Sequence, residues 1–251
     1  MSAGKRIACA AESHPGLVRT DNEDSFSVCR RAGDKNILLV VCDGIGGHHR
    51  GDLASSSCCR NIVTAWKRND AGNMESSSEM EQFLASCVKT ANSSLFEQNN
   101  QLGVNNPMGT TIVCTVIMDE HIVVCHAGDS RLYRLRGDNF EQITRDHSVV
   151  QELINRKLMT PEQAINHPLA HVISRSVGPT EEVNPEIHIY DRQSGDRLLL
   201  CSDGLNLHVK DPMLKAIIRD SKTPRDAIDE LMKQALIGGG EDNITTVCAF
   251  C

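Results

Sequence analysis

Apolar residues recur along this chain in two rhythms. Short runs rich in β-branched and aliphatic side chains predict strands over 37–42, 111–118, 122–125, 131–135, 187–190, 197–201 and 245–250. Helical spacing predicts helices over 52–67 and 79–96; in the second, Met80, Phe83, Leu84, Cys87, Val88, Ala91 and Leu95 share one face. Thr160-Pro161-Glu162-Gln163 reads as a helix start: an N-cap, a proline at the first position and a glutamine completing a capping box. Asp211-Pro212 and Thr223-Pro224 open two more helices in the same way. The segment 136–140 reads as a hairpin turn, with Asp138 and Asn139 tolerant of turn dihedrals. The polar stretches 69–78 and 98–107 read as loops, and no internal repeat is present. Strands do not alternate strictly with helices, and helices fall in pairs between groups of strands. That order favours an antiparallel sheet core covered by helices over a doubly wound parallel sheet.

Composition narrows the classes. At 251 residues, 40% hydrophobic and 24% charged, the chain suits a soluble domain with a sizeable core. Aromatics make up only 3%, so Ile, Leu, Val, Ala and Cys must fill that core. A formal charge of −7 without a dense Lys/Arg run disfavours a nucleic-acid partner. No apolar stretch is long enough to span a bilayer, and MSAGKRIACAAES holds no signal-peptide core, so a cytoplasmic protein is expected. The eleven cysteines are odd in number and scattered, several within apolar runs, which suits small buried hydrophobes in a reducing compartment.

The acids change the picture most. Asp43-Gly44 ends one apolar run, Asp203-Gly204 ends another, Asp242 precedes the last strand, and Glu23 and Asp24 lie close to Arg19. A carboxylate at the end of a buried strand is costly unless something pairs with it. Asp-Gly is also the commonest turn dipeptide, and any one of these would be a plain turn. Together they point to one shared partner, and hard oxygen ligands suit Mg²⁺ or Mn²⁺.

Cys125 and Arg131 have the spacing of a cysteine-phosphatase loop. Asp129 would then point a carboxylate into an anion site. Leu132-Tyr133-Arg134-Leu135 reads as a strand rather than a helix start, and no Ser or Thr follows the arginine. The spacing is a coincidence, and Cys125 is expected to be a buried strand residue.

The stretches GLVRTDNEDSF, VVCDGIGGHHRGDLAS, MGTTIVCTVI, AGDSRLYRLRG, TRDHSVVQELI, the segment from TPEQAINHP to VISRSVG, LLLCSDGL and EDNITTV run in order over nearly the whole chain. In that order they resemble the bacterial form of the metal-dependent Ser/Thr protein phosphatases of type 2C. The resemblance implies an α+β fold: two packed antiparallel β-sheets flanked by pairs of α-helices, an αββα sandwich. It also implies a single catalytic domain over 1–251, with a small flap over about 146–185. By resemblance Asp43 bridges two cations, the Gly44 carbonyl ligates one, and Asp203 and Asp242 hold the other, while Glu23 and Asp24 order the bound waters. Arg19 grips the substrate phosphate through its planar fork. Ser174 and Arg175 contact the phosphoprotein, although a surface ion pair accounts equally well for Arg175. Two cations about 4 Å apart lower the pKa of a bridging water and screen the phosphoryl oxygens. His48 is a candidate proton donor to the leaving group, its alternative a solvated loop residue.

Asp129 matches an aspartate that ligates a third, weaker ion in the family. Three departures stand out: Ile45 where bacterial members carry Met and eukaryotic ones His, Asp52 for Glu, and Leu207 where many members carry a second acid for the third ion. A third-ion site weaker than usual, or empty, is therefore expected. The implied reaction is hydrolysis of phosphoserine and phosphothreonine in proteins. The alternatives left open are a weak or inactive phosphoprotein-binding regulator on the same fold, and a hydrolase of small phosphate esters. Expected partners are a phosphorylated protein and a Ser/Thr kinase or its targets, with no nucleic acid and no membrane, and a monomer is expected.

Overall fold

The computed structural model describes residues 7–30, 33–46, 50–103, 105–164 and 167–251. Its elements in chain order begin with β1 (Ala8–His14), β2 (Asp24–Cys29), β3 (Ile37–Ile45), α1 (Gly51–Arg68) and α2 (Ser77–Leu102). Then come β4 (Gly109–Thr110), β5 (Ile112–Ile117), β6 (His121–Ala127), β7 (Arg131–Arg136), β8 (Asn139–Gln142), α3 (Val149–Asn155) and α4 (Pro161–Ala164). The chain closes with β9 (Glu186–Asp191), β10 (Arg197–Cys201), α5 (Asp203–His208), α6 (Asp211–Asp220), α7 (Pro224–Ile237) and β11 (Ile244–Phe250). One sheet has the order β1-β11-β10-β7-β8 and the other β2-β3-β5-β6-β9, with β4 pairing to β3. Every ladder is antiparallel.

The runs of β3, β5 and β10 are apolar because those strands are buried on both faces. In β3, Ile37, Leu39 and Val41 face the gap between the sheets, with Val113, Ile117, Leu198 and Val247. Their neighbours Leu38, Val40 and Cys42 face outward under α1 and α2. On the other sheet Leu199, Cys201 and Cys248 face α5, α6 and α7. The expected sandwich of two antiparallel sheets between helices is the fold observed.

Several local expectations shift. The edge strands β1 and β2 escape the pattern because they are half-exposed and mixed in composition. The loop expected over 98–107 is in part helix: α2 runs to Leu102 and stops at Gly103, whose φ of 59° is left-handed. Asn99 belongs to that last turn and is buried, donating to the carbonyls of Met108 (2.8 Å) and Gly178 (3.1 Å) and accepting from the Met108 amide (2.9 Å). The polar stretch over 69–78 contains a 3-10 turn, and α2 begins at Ser77 behind a Ser76 cap. Asp43-Gly44 is not a turn, since β3 continues to Ile45, and Asp203-Gly204 opens α5 rather than ending a strand. In the hairpin it is Gly137, at φ 56°, that takes the left-handed position, while Asn139 already pairs with Arg136. The capping boxes at Thr160–Gln163 and Thr223–Asp226 form as expected, whereas Lys210, not Asp211, caps α6.

The eleven cysteines are all free, nine of them buried. Cys248 and Cys251 have the C-x-x-C spacing of a redox or metal pair, but residues three apart along a strand face opposite sides. Cys248 packs under the helices and Cys251 against the inter-sheet cluster.

Candidate active site

The acids meet where the inter-sheet gap opens at one end. Asp24 and Asp43 are direct partners across the β2–β3 ladder, so both carboxylates lie on the gap side, in line with Ile37, Leu39 and Val41. Asp203 enters from the first turn of α5, Asp242 from the residues before β11, and Asp129 from the turn between β6 and β7.

Hydrogen bonds to backbone hold this arrangement. Thr111 grips Asp43 twice: its Oγ1 accepts the Asp43 amide (3.0 Å), and its own amide donates to the Asp43 carbonyl (2.8 Å). The same hydroxyl lies 2.7 Å from Ser130 Oγ, which joins the Asp43 strand to the Asp129 turn. Asn243, buried, accepts the Glu23 amide at 2.7 Å and donates to the carbonyls of Pro15 and Asp21, both at 2.9 Å. It thereby pins the loop that carries Arg19. Close packing explains two glycines: a Cβ on Gly44 would lie 2.2 Å from the Gly51 carbonyl oxygen, and one on Gly51 2.7 Å from the Glu23 carboxyl carbon. The Gly51 amide donates to Glu23 Oε1 at 3.3 Å.

The electrostatics are those of crowded like charges. Burial, then Asp203 and Asp242, raises the Asp24 carboxyl to about 7, against the bonds from Thr245 and Ser202 that lower it. Burial, then Asp203 and Asp146, raises Asp129 to about 7 as well. Asp43 is pushed well above the carboxylate range by burial and by Asp24, Asp203, Asp129 and Asp242. Burial and Asp242 raise Asp203, while His171 works in the opposite sense. Burial likewise raises Glu23.

A hard divalent cation fits these residues. Ser202 donates to Asp24 Oδ2 (2.7 Å), but Asp24 Oδ1 and Asp129 Oδ1 are buried without a hydrogen-bond partner among the described residues. Unpaired buried carboxylate oxygens are expensive, and oxygen-only donors with several negative charges suit Mg²⁺ or Mn²⁺. The nearby arginines offset only part of the charge: Arg19 pairs with Asp242 alone, at 2.9 Å, and Arg131 is taken by Asp146 at 2.7 Å.

Asp24, Asp43, Asp129, Asp203 and Asp242 are therefore gathered, with Glu23 and the Gly44 backbone beside them and Arg19 at the rim. His48 lies outside the described residues. Ser174 is exposed, and Arg175 Nη1 lies 3.0 Å from His147 Nε2. Cys125 is fully buried on β6, and Arg131 is committed to Asp146 and begins a strand, so no anion-binding loop forms there. Thr111, Ser202, Asn243 and His147 were not anticipated; only the Asp-Asn pair before the last strand gave a hint of one of them.

The chain is similar to known proteins over almost its whole length. A family described as protein phosphatase 2C matches residues 18–237. The Ser/Thr phosphatase stp of Listeria innocua is 34% identical over 232 residues, covering 92% of this chain and 91% of that protein. The solved Ser/Thr phosphatase Stp1 of Staphylococcus aureus superposes with a TM-score of 0.90 at 33% identity, covering 100% of this chain and 97% of the other. The catalytic domain of the phosphatase PstP, solved in complex with two manganese ions, superposes with a TM-score of 0.82 at 34% identity, covering 97% of each chain.

Proposed function

The chain belongs to the protein phosphatase 2C family, and on that premise we propose that it hydrolyses phosphoserine and phosphothreonine in proteins at a centre of two divalent cations, Mg²⁺ or Mn²⁺. The observation that carries this is the convergence of five aspartates at the open end of the gap, with two buried carboxylate oxygens unpartnered. Bound cations of this kind supply Lewis acidity, lowering the pKa of water and neutralising phosphoryl charge.

The chain's own residues do the rest. Asp43 and the Gly44 carbonyl would hold cations at the end of β3, and Asp203 and Asp242 would hold them from the start of α5 and the segment before β11. Glu23 and Asp24 accept hydrogen bonds from water at the site, Asp24 with its free Oδ1. Arg19, with a side chain 55% exposed, gives one Nη2 contact to Asp242 and turns its remaining donors to a phosphate outside. Ser174, exposed at the flap, meets the flanking segment of the substrate, whereas Arg175 points inward, its Nη1 3.0 Å from His147 Nε2. The substrates are phosphoproteins, the targets of a Ser/Thr kinase, and the chain acts in the cytoplasm as a monomer. None of the described helices is long and apolar enough to cross a membrane.

The test is phosphate release from a phosphothreonine peptide. Turnover should require Mn²⁺ or Mg²⁺, stop in EDTA and survive thiol alkylation. Asp43→Asn should fold, lose cation binding by calorimetry and lose turnover by roughly a thousandfold. Turnover that persists in EDTA, or an Asp43→Asn variant that still binds two ions and works, refutes the proposal.

A further inference from the structure

The base of the flap carries a cluster that the acids do not use. His126, His147 and Glu186 offer three ligand-type atoms within 4.8 Å of one another, the composition of a two-histidine, one-carboxylate cation site. Hydrogen bonding argues against a cation there. The Gly128 amide lies 3.1 Å from His147 Nδ1 and can only donate, so Nδ1 carries the lone pair and Nε2 the proton. That proton goes to Glu186 Oε2 at 3.2 Å, and the Arg175 guanidinium lies 3.0 Å from the same Nε2. Both ring nitrogens are engaged and a fixed positive charge sits at the edge.

What His147 does hold is the backbone of one residue, through the two peptide groups that flank it. Its Nδ1 accepts from the Gly128 amide, and its own amide donates to the Gly128 carbonyl at 3.0 Å. One residue thus takes both backbone polar groups of Gly128. The conformation there is available only to glycine: φ is +117°, and a Cβ would meet the Thr111 Cβ at 2.6 Å. The next residue is Asp129, whose buried Oδ1 is unpartnered and whose charge is felt by Asp43.

The clamp is itself held from behind. Glu186, on β9, accepts a second bond from His188 Nε2 at 2.7 Å. The His126 ring stacks on His147 at 4.6 Å with an interplanar angle of 3°, and its Nε2 lies 3.0 Å from the Arg145 carbonyl. Burial lowers His147 to about 4, which keeps the ring neutral and its Nδ1 free to accept.

We propose that His147, set in one tautomer by Glu186, is a positioning residue for Asp129, locking the Gly128 peptide so that the Asp129 carboxylate faces Asp43 and Asp203. Its effect on cation binding rests on the reading of Asp129 as a ligand of a weaker ion; its effect on Gly128 does not.

A matched pair of substitutions in the full chain separates the two. His147→Asn places an amide oxygen near the site of Nδ1 and retains an acceptor for Gly128. His147→Gln reaches Glu186 from the site of Nε2 and leaves the Gly128 amide without one. Amide exchange of Gly128, followed by NMR without added metal, should quicken about tenfold in His147→Gln and stay within about threefold of wild type in His147→Asn. In Mn²⁺ calorimetry the weakest binding step, the one abolished by Asp129→Asn, should weaken in His147→Gln and recover in His147→Asn. Equal Gly128 exchange in wild type and His147→Gln overturns the clamp. A weak step lost in Asp129→Asn but untouched in His147→Gln overturns the link to Asp129. If Asp129→Asn leaves Mn²⁺ binding unchanged, the ligand reading has failed, and the exchange data alone decide the clamp.

Discussion

Strand β3 faces the same gap with opposite chemistry at its two ends. Ile37, Leu39 and Val41 are at most 1% exposed and meet aliphatic side chains from both sheets. The next inward position, two residues and about 7 Å further along, is Asp43, where four other aspartates converge. The apolar end is stabilised by burial, at about 25 cal/mol per Å² removed from water, and by its ladders to β2 and β5. The acidic end opposes folding, because each carboxylate raises the cost of ionising the next. A rigid sandwich can hold five acids together only because the rest of the strand is over-determined by packing. Function thus sits where a firmly packed strand runs out into crowded charge.

The sharpest way to break the comparison is to move the acid one inward step. Val41→Asp puts a carboxylate where there is neither solvent nor a polar neighbour, and it should cost more than about 4 kcal/mol, leaving little cooperative unfolding by urea at neutral pH. Asp43→Val, the converse change, should stabilise the metal-free chain by about 1 kcal/mol while ending turnover, because it removes one like charge from the cluster. If the two variants destabilise equally, the two ends do not differ as described.

A smaller effect should appear in the pH dependence of the metal-free chain. Asp24 and Asp129 are both raised from 3.8 to about 7 in the folded state. A raised carboxyl binds its proton more tightly when folded, so its contribution is full below about pH 4 and is lost as pH rises through about 7. His126 and His147, lowered mainly by burial, act in the opposite sense as pH falls. The measurement is therefore the difference in thermal midpoint between wild type and Asp24→Asn across pH 4 to 8. The wild type should lose about 1–3 kcal/mol relative to the variant over that range, and excess Mg²⁺ should restore it by binding only the folded state. A difference that stays constant with pH would mean that neither burial nor its acidic neighbours strain Asp24.

The acids of the site were legible because charged residues abutting apolar runs contradict burial, and a contradiction of that kind is visible in one dimension. The residues that aim them were not. Asn243 reaches Glu23 across 220 positions, and Ser202 reaches the Thr245 amide across 43. Thr111 acts through the backbone of a neighbouring strand, and nothing in a linear string marks a hydroxyl or amide that will meet a peptide group so far away. The sheets were legible for the same reason as the acids: strands buried on both faces read as unbroken apolar runs. Asn99 shows the limit, because a polar helix end that clamps buried carbonyls looks in sequence like the start of a loop. The Cys125–Arg131 spacing shows that a motif needs its structural setting, since both residues lie on strands.

The smallest expected effect concerns Leu207, four residues after Asp203 on α5 and so on the same helical face. Leu207 is 37% exposed, so an acid there need not be buried, and substitution should change folding stability by no more than about 0.5 kcal/mol. Lys210, whose Nζ donates to the Leu207 carbonyl at 2.9 Å, places a positive charge nearby that offsets part of any gain in cation affinity. Leu207→Asp should therefore strengthen the weakest Mn²⁺ binding step by a modest factor, roughly three- to tenfold, and leave the tighter steps unchanged. Adding Lys210→Ala should enlarge the gain, and adding Asp129→Asn should abolish it, both read by calorimetry. If Leu207→Asp gains nothing even with Lys210 removed, the carboxylate at 207 does not reach the ion that Asp129 holds, and the acidic end of the gap closes on fewer cations than its charge could carry.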